Sequence, residues 1–346
     1  MTYAVSPFQL HQPGTIAEAV ELMRAHPDAL YLAGGTDLVV NLRKRIREPG
    51  HVINLRTVTE LKGIRLEGNT LYIGALTTLS ELSQHPEVVA RVPMLAEAAG
   101  IVAGPTIRNM ATMGGNLVLD TRCRYYNQSY FWRKANNFCL KKAGSVCHVA
   151  PGGSFCWAAF SADTPPVLML LDAQADLAGP GGTRSVALRD FYGKDGRWSL
   201  GTEPGGLAPG ELILRVRVPL PERGWHGVYE KLRVRDSIDY PLVGLALRLR
   251  WADEGSRRLA GLGLALTAVN PRPEQVAGTE SLVGKTLDLS AVEELKRLAN
   301  RTGKPMRTTV ADPAYRRAMV GSLVERAVGR LAPELGEKLR ARAQWA

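Results

Sequence analysis

Four cysteines stand close together in the sequence and could hold one metal centre. In a chain of 346 residues they are Cys123, Cys139, Cys147 and Cys156. In a reducing compartment, clustered cysteines indicate metal binding or catalysis rather than disulfides. They lack the paired C-x2–4-C knuckles of zinc fingers, and four thiolates around an irregular loop suit a [4Fe–4S] cluster. Structural zinc and free buried thiols remain open as alternatives.

The segment that carries these cysteines, 121–156, differs from the rest of the chain in composition. It contains seven aromatic residues, six basic residues and no acidic residue. The basic residues are Arg122, Arg124, Arg133, Lys134, Lys141 and Lys142. Their charges would offset an anionic cluster, and the aromatic rings would exclude water. His148 follows Cys147 directly and could replace a thiolate ligand, although such a histidine more often forms a nearby hydrogen bond or faces solvent.

Two glycine turns are candidates for phosphate binding, at 33–37 (AGGTD) and 112–116 (TMGGN). Glycine lets backbone N–H groups approach a diphosphate closely, and a helix after the first turn would add its positive end. One glycine pair is usually an ordinary turn, so the presence of two is the stronger evidence. The chain has no G-x-G-x-x-G motif and no P-loop lysine motif, so a Rossmann cofactor site is not expected.

The elements that would position these residues can be predicted from apolar patterning. We expect a strand at 29–33, then a helix capped by Thr36-Asp37 that runs to Pro49. A strand at 51–55 and a hairpin around Gly68-Asn69 follow. Thr78 and Glu81 have capping-box spacing, and 93–103 has a helical pattern.

After the cysteine segment, strand-like patterning resumes in VLMLLDAQADLAG. The next strand, GELILRVRVPLP, should place Leu212, Leu214, Val216 and Val218 on one face. Stretches 226–235, 242–251 and 258–268 predict an antiparallel sheet. Asp312-Pro313 predicts the start of the first of two carboxyl-terminal helices.

Length and charge limit the class of protein. A chain of this length suggests two or three domains. The formal charge of +11 does not form one stripe, so we expect no nucleic-acid partner. No apolar run reaches the roughly 18 residues of a membrane helix, and the amino terminus does not resemble a secretory signal. We expect a cytoplasmic protein with no membrane partner.

Two motifs carry a resemblance to a known family. AGGTDLVVNLRKR and, further on, RNMATMGGNL resemble the FAD-binding subunits of the molybdenum hydroxylases, the xanthine dehydrogenase and carbon monoxide dehydrogenase family. The run DTRCRYYNQSYFWRKANNFCLKKAGSVCHV resembles the beta subunits of 4-hydroxybenzoyl-CoA reductases, which carry an additional [4Fe–4S] cluster in such an insertion.

The resemblance implies an α+β fold with a two-subdomain FAD-binding unit of the PCMH type, an iron–sulfur insertion and a carboxyl-terminal domain of antiparallel sheet and helices. The implied subdomains are 1–60 and 61–221, with the insertion at 121–157, and the last domain is 222–346.

The resemblance also implies which residues bind FAD. They are Tyr31, Leu32, Ala33, Gly34, Gly35, Thr36, Asp37, Leu38, Val102, Thr112, Met113, Gly114, Gly115, Asn116, Asp163 and Lys231. Without the resemblance, Val102 would be interpreted as a core residue, Asp163 as a turn residue and Lys231 as a surface residue of a strand.

By the same resemblance, the chain is an oxidoreductase subunit that transfers electrons and has no catalytic residue of its own. Its implied partners are a large molybdenum-cofactor subunit and a small subunit with two [2Fe–2S] clusters, as a dimer of heterotrimers. Reduced ferredoxin would donate electrons through [4Fe–4S] and FAD for the dehydroxylation of 4-hydroxybenzoyl-CoA to benzoyl-CoA.

Two alternatives stay open. One is the FAD subunit of another molybdenum hydroxylase that delivers electrons outward to NAD or a quinone. The other is a zinc-stabilised scaffold or nucleic-acid binder.

Overall fold

The amino-terminal part of the chain folds as a small parallel sheet with a helix on it. The computed structural model describes residues 5–198, 206–253 and 255–343. Its first sheet has the order β1 (Gln9–His11), β3 (His51–Asn54), β2 (Leu30–Leu32). Helix α1 (Ile16–Ala25) connects β1 to β2. Parallel pairing places the first glycine turn, 33–37, at the carboxyl edge of this sheet.

Helix α2 (Leu38–Arg43) follows the first glycine turn and is shorter than predicted. It does not reach Pro49, because Arg45 adopts a left-handed φ of 52° and the Ile46 N–H turns back to the carbonyl of Asn41. Asp37 occupies the N-cap position as predicted, but its side chain makes no capping hydrogen bond.

A second sheet of five antiparallel strands forms the centre of the molecule. Its order is β4 (Ile64–Glu67), β5 (Thr70–Gly74), β8 (Leu212–Pro219), β6 (Gln174–Gly179), β7 (Gly182–Ala187). The predicted single apolar face of β8 is wrong, because a register shift opposite Asp176 interrupts the alternation. Val216 and Val218 share the core of the central part with Ile213, while Leu212 and Leu214 pack against the amino-terminal subdomain.

Helices of this central part are short. They are α3 (Leu79–Gln84), α4 (Pro86–Arg91), α5 (Pro93–Gly100), α6 (Pro105–Arg108), α7 (Met113–Leu117), α8 (Tyr130–Ala135) and α9 (Thr164–Leu170). The capping box of Thr78 and Glu81 forms as predicted at the start of α3. The prediction of strand-like structure for 167–171 (VLMLL) is wrong, because helix α9 includes most of these residues. Every residue of α9 is buried, so the sequence has no polar face to reveal the helical period.

The cysteine segment, 121–156, contains helix α8 and is otherwise irregular. Ser129 caps α8 by accepting a hydrogen bond from the Trp132 N–H. Asn137, Phe138 and Ala143 adopt left-handed backbone conformations. An isolated bridge between Arg122 and Ala159 joins the two ends of the segment.

The carboxyl-terminal part packs a third sheet against two long helices. The sheet has the order β12 (Glu274–Gln275), β11 (Leu259–Thr267), β10 (Val243–Trp251), β9 (Trp225–Leu232), with antiparallel pairing as predicted. Its helices are α10 (Leu289–Thr302), α11 (Pro313–Leu331) and α12 (Pro333–Ala343). Asp312 caps α11 as predicted. The predicted α+β class is confirmed, and the search of the described helices found none that could cross a membrane.

Candidate functional site

A cavity of about 500 Å³ lies between the three parts of the chain. We call it the main cavity. It is large enough for a cofactor of drug size or larger. Thirteen of the sixteen residues predicted to bind FAD line it. They are Tyr31, Ala33, Gly34, Gly35, Thr36, Asp37, Leu38, Val102, Thr112, Gly114, Gly115, Asn116 and Asp163.

The two glycine turns meet at one wall of the main cavity. A side-chain carbon at Gly34 would lie 1.7 Å from the carbonyl oxygen of Met110, so only glycine permits this contact between the turns. Gly35 has a φ of +75°, which favours glycine for a conformational reason. In the second turn, the Thr112 hydroxyl caps α7 by accepting from the Gly115 N–H at 3.2 Å.

The other three predicted FAD residues do not line the main cavity. Met113 is fully buried in the core of the central part, and Leu32 lies on strand β2 beside Gly35. From its strand position alone, Lys231 would be interpreted as a surface residue. It is instead buried, since only 2% of its side chain is exposed.

Lys231 forms a buried ion pair with Asp163 at the wall of the main cavity. Its Nζ lies 3.0 Å from Asp163 Oδ2 and also donates to the Ile101 carbonyl at 3.1 Å. The Tyr229 hydroxyl donates to Asp163 Oδ1 at 2.9 Å. Burial raises the pKa of Asp163, and the nearby lysine ammonium and tyrosine hydroxyl oppose that shift. Two donors on one buried carboxylate hold it in one orientation.

Arg122, which we expected to offset the charge of a cluster, instead joins three parts of the site. Arg122 donates to Asp37 Oδ1 at 2.7 Å and to the Tyr240 hydroxyl at 2.8 Å. Its guanidinium carbon also lies 4.3 Å from the centre of the Tyr240 ring. Tyr240 and its neighbour Ile238 line the main cavity. No sequence signal identified this contact, because the two partners of Arg122 stand 85 and 118 positions away.

The four cysteines surround a second, small cavity, which we call the cysteine cavity. Tyr125, Tyr126, Leu140, Lys141, His148, Val149 and Ala158 complete its lining. All four thiols are buried and unpaired by disulfides. Burial raises the pKa of Cys123 to about 11 and that of Cys156 to about 12. A bound cation is therefore the natural way to stabilise thiolates in this place.

The spacing of the sulfur atoms distinguishes between kinds of metal centre. No three of these four described cysteines have Sγ atoms within 4.8 Å of one another. A tetrahedral zinc site with Zn–S bonds of about 2.3 Å would hold its sulfurs roughly 3.8 Å apart. A multi-iron cluster holds its thiolates farther apart, because each one binds a different iron. The four thiols therefore do not have the close spacing of sulfurs that share one zinc ion.

His148 faces the cysteine cavity but has a backbone partner. Its Nε2 lies 2.5 Å from the carbonyl oxygen of Phe138 and must donate a proton to it. The ring also packs 5.2 Å from Tyr125. This geometry matches the nearby hydrogen bond that is the more common role of such a histidine.

Three of the six basic residues in the cysteine segment are used inside the fold. Besides Arg122, Lys141 is buried and donates to Asp120 Oδ1 at 2.7 Å. Arg133 is also buried, and it donates to the carbonyls of Lys44 and Arg45 at 3.1 and 2.7 Å. By contrast, Arg124 and Lys134 are exposed.

Family models match nearly the whole chain. The model described as "FAD binding domain in molybdopterin dehydrogenase" matches residues 6–221. The model described as "CO dehydrogenase flavoprotein C-terminal domain" matches residues 228–331. The chain therefore belongs to the family of FAD-binding subunits of molybdenum hydroxylases.

Individual relatives are similar over nearly their full length. The carbon monoxide dehydrogenase medium chain of Hydrogenophaga pseudoflava is 31% identical over 93% of this chain and 96% of its own. A putative xanthine dehydrogenase FAD-binding subunit of Escherichia coli is 26% identical over 95% and 98%. In a solved structure of the Hydrogenophaga pseudoflava enzyme, the matching chain superposes with a TM-score of 0.77 at 28% identity, over 94% and 97% of the two chains.

Proposed function

We propose that this chain is the electron-transfer flavoprotein subunit of a molybdenum-dependent reductase of the 4-hydroxybenzoyl-CoA reductase type. In that role, bound FAD and a [4Fe–4S] cluster supply the redox chemistry between reduced ferredoxin and the partner subunits. The observation that carries the proposal is the set of four buried cysteines around one cavity, next to the FAD-binding site.

FAD is assigned to the main cavity, with the two glycine turns against its diphosphate. Support comes from the family, whose model is an FAD-binding domain, and from the cavity lining. Gly34 lets the first turn pack against the Met110 carbonyl, Gly35 supplies a left-handed conformation, and Thr112 holds the second turn in place. The Asp163–Lys231 pair fixes a polar wall inside the cavity.

The cluster is assigned to Cys123, Cys139, Cys147 and Cys156. Sulfur spacing too wide for one zinc ion supports this assignment, as do the aromatic and aliphatic walls that exclude water. Arg122 connects the two proposed cofactor sites. It precedes Cys123 in the chain and binds Asp37, which lines the main cavity. The cysteine segment is thus joined to the main cavity by a hydrogen-bonded ion pair.

The ferredoxin surface is assigned to the exposed side of helix α8 and the residues beside it. Phe131 is 64% exposed, Trp132 is 37% exposed, and the cations Arg124 and Lys134 flank them. An exposed apolar patch with a positive rim suits an acidic redox partner. The large molybdenum subunit, the small [2Fe–2S] subunit and their arrangement as a dimer of heterotrimers belong to the same proposal.

A second candidate function is the FAD subunit of a dehydrogenase that delivers electrons outward to NAD or a quinone. The names of the relatives favour it, because they are carbon monoxide dehydrogenase and xanthine dehydrogenase subunits. In this case the extra cluster would serve another electron acceptor.

Flavin reduction in the purified complex distinguishes the two candidates. Under anaerobic conditions, we expect reduced ferredoxin to reduce the flavin rapidly and NADH to reduce it little. Cys139→Ser should abolish the ferredoxin reaction while FAD stays bound, because Cys139 does not line the main cavity. Rapid reduction by NADH with no reaction from ferredoxin would favour the second candidate. Unchanged ferredoxin reduction in Cys139→Ser would remove the cluster from the electron path.

A further inference from the structure

Three of the six histidines in the chain meet at one point, away from both cavities. His11 ends strand β1, His26 caps the carboxyl end of helix α1 and His51 begins strand β3. None of the three lines the main cavity or the cysteine cavity. His51 stands at the edge of the sheet opposite to the first glycine turn, since it precedes the Leu30–Val52 pair and the turn follows Leu32.

Strand register brings the three rings together. Gln9 pairs with His51, and His11 stands two residues after Gln9, so His11 and His51 project from the same face of the sheet. Nε2 of His11 lies 3.0 Å from Nδ1 of His51. The ring of His26 stacks on that of His51 with centroids 3.8 Å apart. One nitrogen from each ring lies within 4.8 Å of the other two.

The three rings offer nitrogen atoms to one shared point. All three side chains are half-buried. A neutral imidazole offers one nitrogen that accepts a proton or a metal ion, and its hydrogen-bonding needs are only partly met by another ring.

We propose that His11, His26 and His51 bind one divalent late transition-metal ion, with Zn²⁺ as the expected occupant. Zinc bonds of about 2.0–2.1 Å place tetrahedral nitrogen ligands roughly 3.3 Å apart, close to the existing His11–His51 distance. Rotation of the side chains brings in the third ring, while the sheet holds the backbone. Imidazole ligands select zinc, copper or nickel over magnesium or calcium, and the half-exposed position leaves room for water as a fourth ligand.

The consequence is a cross-link within the amino-terminal subdomain. The ion would join β1, the end of α1 and β3, and β3 pairs with the strand that leads into the first glycine turn. A ligand that binds only the folded state raises stability by mass action. The proposed metal would therefore stabilise the part of the chain that carries half of the proposed FAD phosphate site.

Titration of the intact protein with Zn²⁺ tests the site. The full chain, loaded with FAD and its cluster, is first dialysed against a chelator so that the cysteines are occupied and the histidines are not. Calorimetry should find one tight Zn²⁺ site, weakened at least about tenfold in His26→Ala and in His11→Gln. His26 suits truncation because its backbone N–H, not its ring, bonds to Leu22 and ends the helix. His226→Ala, an exposed histidine on β9, is the matched control and should bind like the wild type.

Thermal unfolding provides a second measurement on the same proteins. Zn²⁺ should raise the melting temperature of the wild type and of His226→Ala, and should raise that of His26→Ala less at the same concentration. Equal Zn²⁺ affinity in the wild type and both cluster variants would overturn the proposal. Equal competition by Mg²⁺ would also overturn it, because three imidazoles do not bind magnesium in preference to water.

Discussion

The main cavity is lined by residues from all three parts of the chain, whereas the cysteine cavity is lined almost entirely by one segment that contains one short helix. The first is shaped by close packing, since Gly34 of the first turn contacts the Met110 carbonyl just before the second turn. The second brings together four buried thiols, which a metal centre would stabilise as thiolates. Backbone packing thus dominates one site, and buried side-chain contacts dominate the other.

The buried pair of Lys141 and Asp120 should be the most sensitive point in this comparison. Lys141→Met leaves the Asp120 carboxylate buried beside the Tyr126 hydroxyl without its lysine. We expect a loss of about 4 kcal/mol in the free energy of unfolding, measured by denaturant titration. Lys134→Met, an exposed lysine in the same segment, should cost almost nothing. Equal costs in the two variants would mean that the cysteine segment does not depend on this pair.

The contact at Gly34 should be the next most sensitive. Gly34→Ala forces a carbon against the Met110 carbonyl and separates the two glycine turns. We expect a loss of about 3 kcal/mol in stability and loss of most bound FAD, measured as flavin per chain. Gly181→Ala is the matched control, since a side-chain carbon there meets nothing within 4 Å. Full retention of FAD in Gly34→Ala would mean that the proposed FAD site does not depend on this contact.

Loss of the cap on α7 should have a smaller effect. Thr112→Ala removes the hydroxyl that accepts from the Gly115 N–H and should cost about 1 kcal/mol. Flavin affinity should fall modestly, because the second glycine turn loses its anchor while its backbone stays intact. Thr112→Ser keeps the hydroxyl and should retain most of the affinity. If serine and alanine weakened FAD alike, the methyl group rather than the cap would be the important contact.

Charge reversal on the proposed ferredoxin surface should change rates rather than stability. Arg124→Glu with Lys134→Glu should slow electron uptake from ferredoxin severalfold and flatten its dependence on salt. The reason is screening, since the Debye length falls from about 10 Å at 0.1 M to about 3 Å at 1 M. Stopped-flow reduction by a small uncharged donor should be unchanged. Equal slowing with both donors would assign these charges to the cluster instead of to docking.

Sequence patterning predicted the elements with clear periods and caps, and missed those without them. The hairpin at Gly68-Asn69, the capping box at Thr78 and the start of α11 at Asp312 all carry local signals. Helix α9 is buried on every side and the register shift in β8 depends on its neighbour, so neither has a local signal.

The same distinction applies to the candidate sites. Glycine pairs and clustered cysteines are visible in the sequence, and thirteen of the predicted FAD residues line one cavity. The contacts of Arg122 and the burial of Lys141 were not predictable, because composition gives the number of charges and not their partners. The basic residues expected to offset the charge of one cluster are divided between the interior and the exterior of the fold.

Metal analysis of the anaerobically purified chain tests the central claim most directly. After dialysis against a chelator, which empties the proposed histidine site, we predict four irons and no stoichiometric zinc for each copy of this chain, beyond any iron in partner subunits. Cys139→Ser should lose that iron and retain FAD. One zinc for each chain, with no additional iron in the wild type, would contradict the account.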